Sequence, residues 1–122
     1  MATALDPGAL ATATCRPADA STPALAADDV TTLATGLDPA WDVLSDRLVR
    51  SIAFSTFGAA FALATRIALL AENQNHHPTV EIAWGRLVVT WQTDAIGALS
   101  ENDFIMAAKV DRLITRGLAI KD

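Results

Sequence analysis

Cysteine, histidine and tyrosine are scarce in this 122-residue chain, which has one Cys, two His and no Tyr. Cys15 alone forms no internal disulfide, and with no second Cys near it there is no metal knuckle. A reducing compartment, the cytoplasm, is therefore expected. Basic residues are also few: nine Lys and Arg stand against fourteen Asp and Glu, for a net charge of −5. That balance leaves no electrostatic footprint for a polyphosphate backbone and argues against nucleic acid as a partner. Long apolar runs are missing too. The uncharged stretch from Ser51 to Thr65 falls short of the roughly 20 residues that cross a bilayer, so no membrane span is expected. The chain start lacks the basic-then-apolar order of a secretory signal. Apolar side chain is plentiful, at 52% of residues, enough for the core of one domain and too much for global disorder.

Residues 1–24 are mostly Ala, Thr, Pro, Gly and Ser. They offer little large apolar surface to offset ordering entropy, so a mobile arm is expected ahead of one domain over 25–122. In that domain Asp28 and Asp29 open a short helix through Val30, Leu33 and Leu37, stopped by Gly36 and Pro39. Trp41–Leu44 and Leu48–Phe54 are β-branched and aromatic runs on either side of Ser45-Asp46, which predicts a hairpin. Ser55 or Thr56 caps a second helix running to about Asn73, with Phe57, Phe61, Ala64, Ala68 and Ala71 as its expected core stripe. Val80, Ile82 and Trp84 alternate with Thr79, Glu81 and Ala83. Leu87, Val89 and Trp91 alternate in the same way beyond Gly85-Arg86, giving a second hairpin. Ser100 and Asp103 resemble a capping box and open a third helix carrying Phe104, Met106, Val110, Leu113 and Gly117. The order α-β-β-α-β-β-α predicts an α+β fold, a four-stranded antiparallel sheet with helices packed on one face. The other face is then solvated or covered by a partner.

Both histidines, His76 and His77, lie between the second helix and the third strand, just before Pro78. Proline pushes His77 into extended geometry, where neighbouring side chains point apart. The pair is thus badly placed to chelate one ion, and no Cys or H-E-x-x-H spacing adds ligands, so no metal is expected. Imidazole offers both protonation states at neutral pH and suits proton transfer, with Glu72, Glu81, Asp94 and Asp103 as the available carboxylates. Trp41, Trp84 and Trp91 are candidate anchors for a protein partner.

Glu72, then His76-His77-Pro78, Trp84, Asp94 and Asp103 follow one another at a spacing that resembles the pattern of the pterin-4a-carbinolamine dehydratases. Cys15-Arg16-Pro17, Gly97–Phe104 and Ala107–Asp111 extend the likeness over most of the chain. The resemblance implies the same small fold, assembled into homodimers or homotetramers through sheet and helix surfaces. It implies removal of water from a 4a-hydroxytetrahydropterin to give the quinonoid dihydropterin, with no metal and no bound cofactor. By position, His76, His77 and Asp94 stand where that family has its three acid/base histidines. Glu72, Trp84 and Asp103 are the implied substrate-binding residues.

Asp94 departs from the pattern. An exposed aspartate is ionised at neutral pH and poorly suited to protonating a leaving hydroxide, so little or no dehydratase activity is expected. A dehydratase scaffold altered in this way, with an Ala/Thr/Pro-rich arm, is similar to the divergent branch of Rubisco assembly factors associated with α-carboxysomes. That likeness implies Rubisco subunits or another client protein as partner, with a pterin as a further ligand. It also implies a cytoplasmic, carboxysome-associated location. The alternative is an active dehydratase in which His76 is the base, His77 orients the pterin and Asp94 acts as acid.

Overall fold

The structure, a computed structural model, describes residues 5–116. A 3-10 helix at Pro7–Thr12 precedes α1 (Ala27–Ala34), β1 (Asp42–Val43), β2 (Leu48–Ala53), α2 (Phe57–Gln74), β3 (Thr79–Ala83), β4 (Arg86–Trp91) and α3 (Glu101–Thr115). The strands form one antiparallel sheet in the order β1-β2-β4-β3. This is the α+β fold that the order of elements predicts. Among the described residues no helix is long and apolar enough to cross a membrane.

Strand alternation decides what the helices cover. Leu48 lies opposite Trp91, and Ile52 and Ile82 flank Leu87 from the two neighbouring strands. Leu48, Leu87, Val89 and Trp91 are buried, and α2 and α3 pack on that side. Each such side chain, fully withdrawn from water, contributes about 1.5 to 3 kcal/mol. The residues between them, Val49, Ser51, Thr79, Glu81, Val88 and Thr90, form the opposite face, and none is buried. Arg50 falls on the covered side opposite Val89. Asp111 of α3 answers its charge at 2.6 Å and also accepts from Trp41 Nε1 at 2.7 Å.

Two expectations are corrected. The first is the rotation of α2. Its buried residues are Ala59, Ala60, Leu63, Ala64, Ile67 and Ala71, whereas Phe57 and Phe61 are about half exposed and Ala68 is exposed. The helix is apolar nearly all round, so periodicity leaves its phase open. Packing turns the small alanines toward the sheet, where they permit close approach. The Thr56 side chain caps the helix by accepting from the Ala59 N–H at 3.1 Å.

The second is the arm. Where composition predicts a mobile segment, Leu10 is fully buried against the core. The Asn102 side chain exchanges hydrogen bonds with both the N–H and the carbonyl of Arg16, and Lys109 Nζ donates to the Ala11 carbonyl. The cause lies in α3, which is buried from Asn102 to Ala108 without interruption. The sheet covers one side of such a helix, and the N-terminal segment covers another. A Cβ on Gly36 would sit 2.3 Å from the Pro7 carbonyl oxygen, so this segment and the end of α1 meet backbone to backbone. Gly117, expected on the third helix, lies outside the described residues.

Candidate functional site

The two histidines part company at the end of α2. Asn75 takes a left-handed conformation (φ 54°) and stops the helix, and the His76 N–H donates to the Ala71 carbonyl. From there the chain runs extended into β3. His76 shares the parity of Val80 and turns to the covered side, while His77 shares that of Thr79 and turns to the open face.

His76 is buried, with its ring stacked on Trp91 (centroids 5.9 Å, planes 10° apart). Its Nε2 is 2.7 Å from Oδ1 of Asp103, which is fully buried. A carboxylate only accepts, so Nε2 carries the proton. The other oxygen of Asp103 accepts from Thr93 Oγ1 at 2.7 Å and from the Ser100 N–H at 2.9 Å. Because Thr93 gives its one hydroxyl proton to Asp103, Ser100 Oγ is the donor in their 2.6 Å contact. Asp103 thus joins the start of α3 to the loop after β4 and to the end of α2.

His77 is exposed and meets Glu72 Oε2 through Nε2 at 2.5 Å. It lines an open groove with Thr79, Thr90, Gln92, Asp94 and Arg47. The sheet register explains this gathering. Extending the β2–β4 and β3–β4 pairings past their last partners sets Arg47 and His77 on either side of Gln92, with Asp94 two residues further along the same face. Asp46 stiffens one wall, taking Arg47 Nε at 3.1 Å on its carboxylate and Gln92 Nε2 at 3.1 Å on its carbonyl. The Asp94 carboxylate has no hydrogen-bonding or ion-pair partner among the described residues. The turn that follows it is closed by Gly97 (φ 59°), whose N–H donates to the Asp94 carbonyl.

Of the residues singled out in the sequence, His77 and Asp94 line the groove, and Glu72 reaches it through its contact with His77. His76 and Asp103 lie together on the other side of the sheet, in the core. Trp84 is 77% exposed at the β3–β4 turn, the opposite end of β3 from His77, while Trp41 and Trp91 are buried. Motif spacing misses Arg47 and Gln92. Strand alternation marks both for the open face, but only the pairing of β2 with β4, which are far apart in the chain, brings Arg47 to the site. Cys15 stands apart from the groove, and burial pushes its thiol up to about 11.

The family model described as pterin 4 alpha carbinolamine dehydratase matches residues 23–113. A protein of Rubrobacter xylanophilus that carries the family's name is 42% identical over 105 residues, covering 85% of this chain and 97% of its own. One of Chlorobium limicola, also so named, is 43% identical over 100 residues, covering 79% and 87%. Among solved structures, a transcriptional coactivator/pterin dehydratase from Brucella melitensis superposes with a TM-score of 0.69 at 29% identity, covering 75% of this chain and 98% of that one. A pterin dehydratase-like protein identified as a Rubisco assembly factor in the α-carboxysome gives a TM-score of 0.50 at 23% identity, covering 60% and 84%. At that identity the likeness speaks to the fold alone.

Proposed function

Because this chain belongs to the pterin 4 alpha carbinolamine dehydratase family, we propose that its open-face groove takes a 4a-hydroxytetrahydropterin and removes water from it. His77 is the proton-transfer group in this reading. The observation that carries it is the placement of His77 on an open groove, with its Nε2 committed to Glu72.

The chemistry follows from the hydrogen bonding. Glu72 holds a proton on Nε2, which leaves Nδ1 as the atom able to accept one. In the reaction N5 loses its proton, the C4a–oxygen bond breaks, the departing hydroxide takes a proton and a C4a–N5 double bond forms. His77 Nδ1 takes the proton from N5 and returns one to the leaving oxygen. His76 holds the loop and the ring stack instead, since it is buried on the covered side of the sheet and does not line the groove. With a carboxylate at position 94 the groove has one imidazole to serve both transfers, so turnover is slow.

The test is the rate of 4a-hydroxytetrahydropterin dehydration above the uncatalysed reaction. Losing a positioned acid/base group costs about 100-fold or more, so His77→Ala should fall to near background and Asp94→His should gain. Equal rates for the parent and His77→Ala would refute the assignment.

Assistance to Rubisco assembly, in association with α-carboxysomes, is a second reading. It is favoured by the apolar outer face of α2, where Phe57, Phe61 and Leu69 are 46%, 52% and 68% exposed. This reading predicts that the purified protein raises the yield of assembled Rubisco from its subunits and that Phe61→Asp abolishes the gain. An unchanged yield on adding the parent protein would sink it.

A further inference from the structure

The dehydration reading leaves Asp94 without a proton to give, although its carboxylate lines the groove with no partner among the described residues. We infer, resting on that reading, that Asp94 is a specificity residue and that its carboxylate receives the 2-amino and N3–H edge of the pterin's pyrimidine ring. That edge presents two parallel N–H donors, the same fork that an arginine guanidinium offers, and a carboxylate accepts such a fork in two charge-assisted hydrogen bonds. An imidazole at this position has no matching pair of acceptors. The substitution therefore exchanges a proton-transfer group for a recognition group.

The rest of the groove agrees in sign. Beyond N3–H the same ring carries the O4 carbonyl, an acceptor, followed by C4a and N5, where the reaction occurs. Arg47 is the donor on the facing wall. Its Nε is held by Asp46, and its terminal N–H groups suit O4. His77 completes the set at the C4a and N5 end. A ring whose pyrimidine carries a 2-oxo group in place of the 2-amino group would turn an acceptor toward Asp94 and leave the carboxylate facing like charge.

The experiment compares two stable fluorescent probes of equal size, pterin and its 2-oxo counterpart lumazine, titrated against the parent protein and Asp94→Asn. An unpaired acceptor facing a carboxylate in a polar site costs about tenfold to a hundredfold in binding. The parent should therefore prefer pterin by that factor, and Asp94→Asn should lose most of the preference. In turnover, the same variant should raise KM while leaving kcat within a few-fold, the pattern of a lost ground-state contact. Equal binding of the two probes by the parent, or a preference that survives in Asp94→Asn, would overturn the inference. If dehydration continued in that case, the groove reading would stand without it. Failure of the parent to bind either probe would overturn both.

Discussion

Asp103 offers the sharpest test of how the buried end of this molecule is held. It is fully buried and accepts from His76 Nε2, Thr93 Oγ1 and the Ser100 N–H. In Asp103→Ala the Thr93 hydroxyl can rotate toward Ser100 Oγ, 2.6 Å away. The Ser100 N–H and the His76 Nε2–H cannot be rescued so simply. Each buried donor left unmade costs about 1 to 3 kcal/mol, so the variant should lose about 2 to 6 kcal/mol. That is a large share of the roughly 5 to 15 kcal/mol that holds a domain together. Asp103→Asn should cost less, about 1 to 2 kcal/mol. Its amide keeps one acceptor for Thr93 and Ser100 and turns its NH2 toward His76, which can move its own proton to Nδ1 and accept. Urea denaturation of the parent and both variants reads the difference directly. A loss below about 1 kcal/mol for Asp103→Ala would mean that these buried donors find other partners.

Three further outcomes follow from the N-terminal packing. Leu10→Ala should destabilise the domain by about 2 to 4 kcal/mol despite lying in an Ala- and Thr-rich segment; a cost near zero by thermal denaturation would mean the segment does not share the core. Gly36→Ala places a Cβ 2.3 Å from the Pro7 carbonyl oxygen and should free the segment, speeding elastase cleavage after its alanines, such as Ala11 and Ala13. Its cost should add less than fully to that of Leu10→Ala, because both changes release the same piece of chain. Cys15, with its thiol pushed up to about 11 by burial, should react with iodoacetamide at pH 8 about a hundredfold more slowly than an exposed cysteine. The folded state holds the thiol proton to higher pH than the unfolded state. The Cys15 contribution to stability is therefore present below the ordinary thiol range and lost as pH rises toward 11. Alkylation at the rate of a free thiol would show the site open.

Much of this molecule is legible in local chemistry. The strands are read from alternation over Thr79–Ala83 and Arg86–Trp91, because a half-covered sheet demands one apolar and one polar side. The start of α3 is read from Ser100 and Asp103, because helix ends need side chains to satisfy their first N–H groups. That His76 and His77 point to opposite faces follows from an extended, proline-bound pair. Sequence alone therefore determined the elements, the sheet's two-sidedness and the residue types able to move a proton.

The rest was settled by packing, and in each case the deciding contact joins residues far apart in the chain. The rotation of α2 is open in a helix apolar all round, and packing chose the alanine side. The ordering of residues 7–16 depends on α3 having a second apolar side to cover, which no local composition reveals. Which histidine meets solvent depends on which sheet face α2 and α3 occupy, since alternation separates the two rings but does not say which is inside. The presence of Arg47 in the groove depends on β2 pairing with β4 in one register, in which a slip by a single residue would have turned its side chain to the other face.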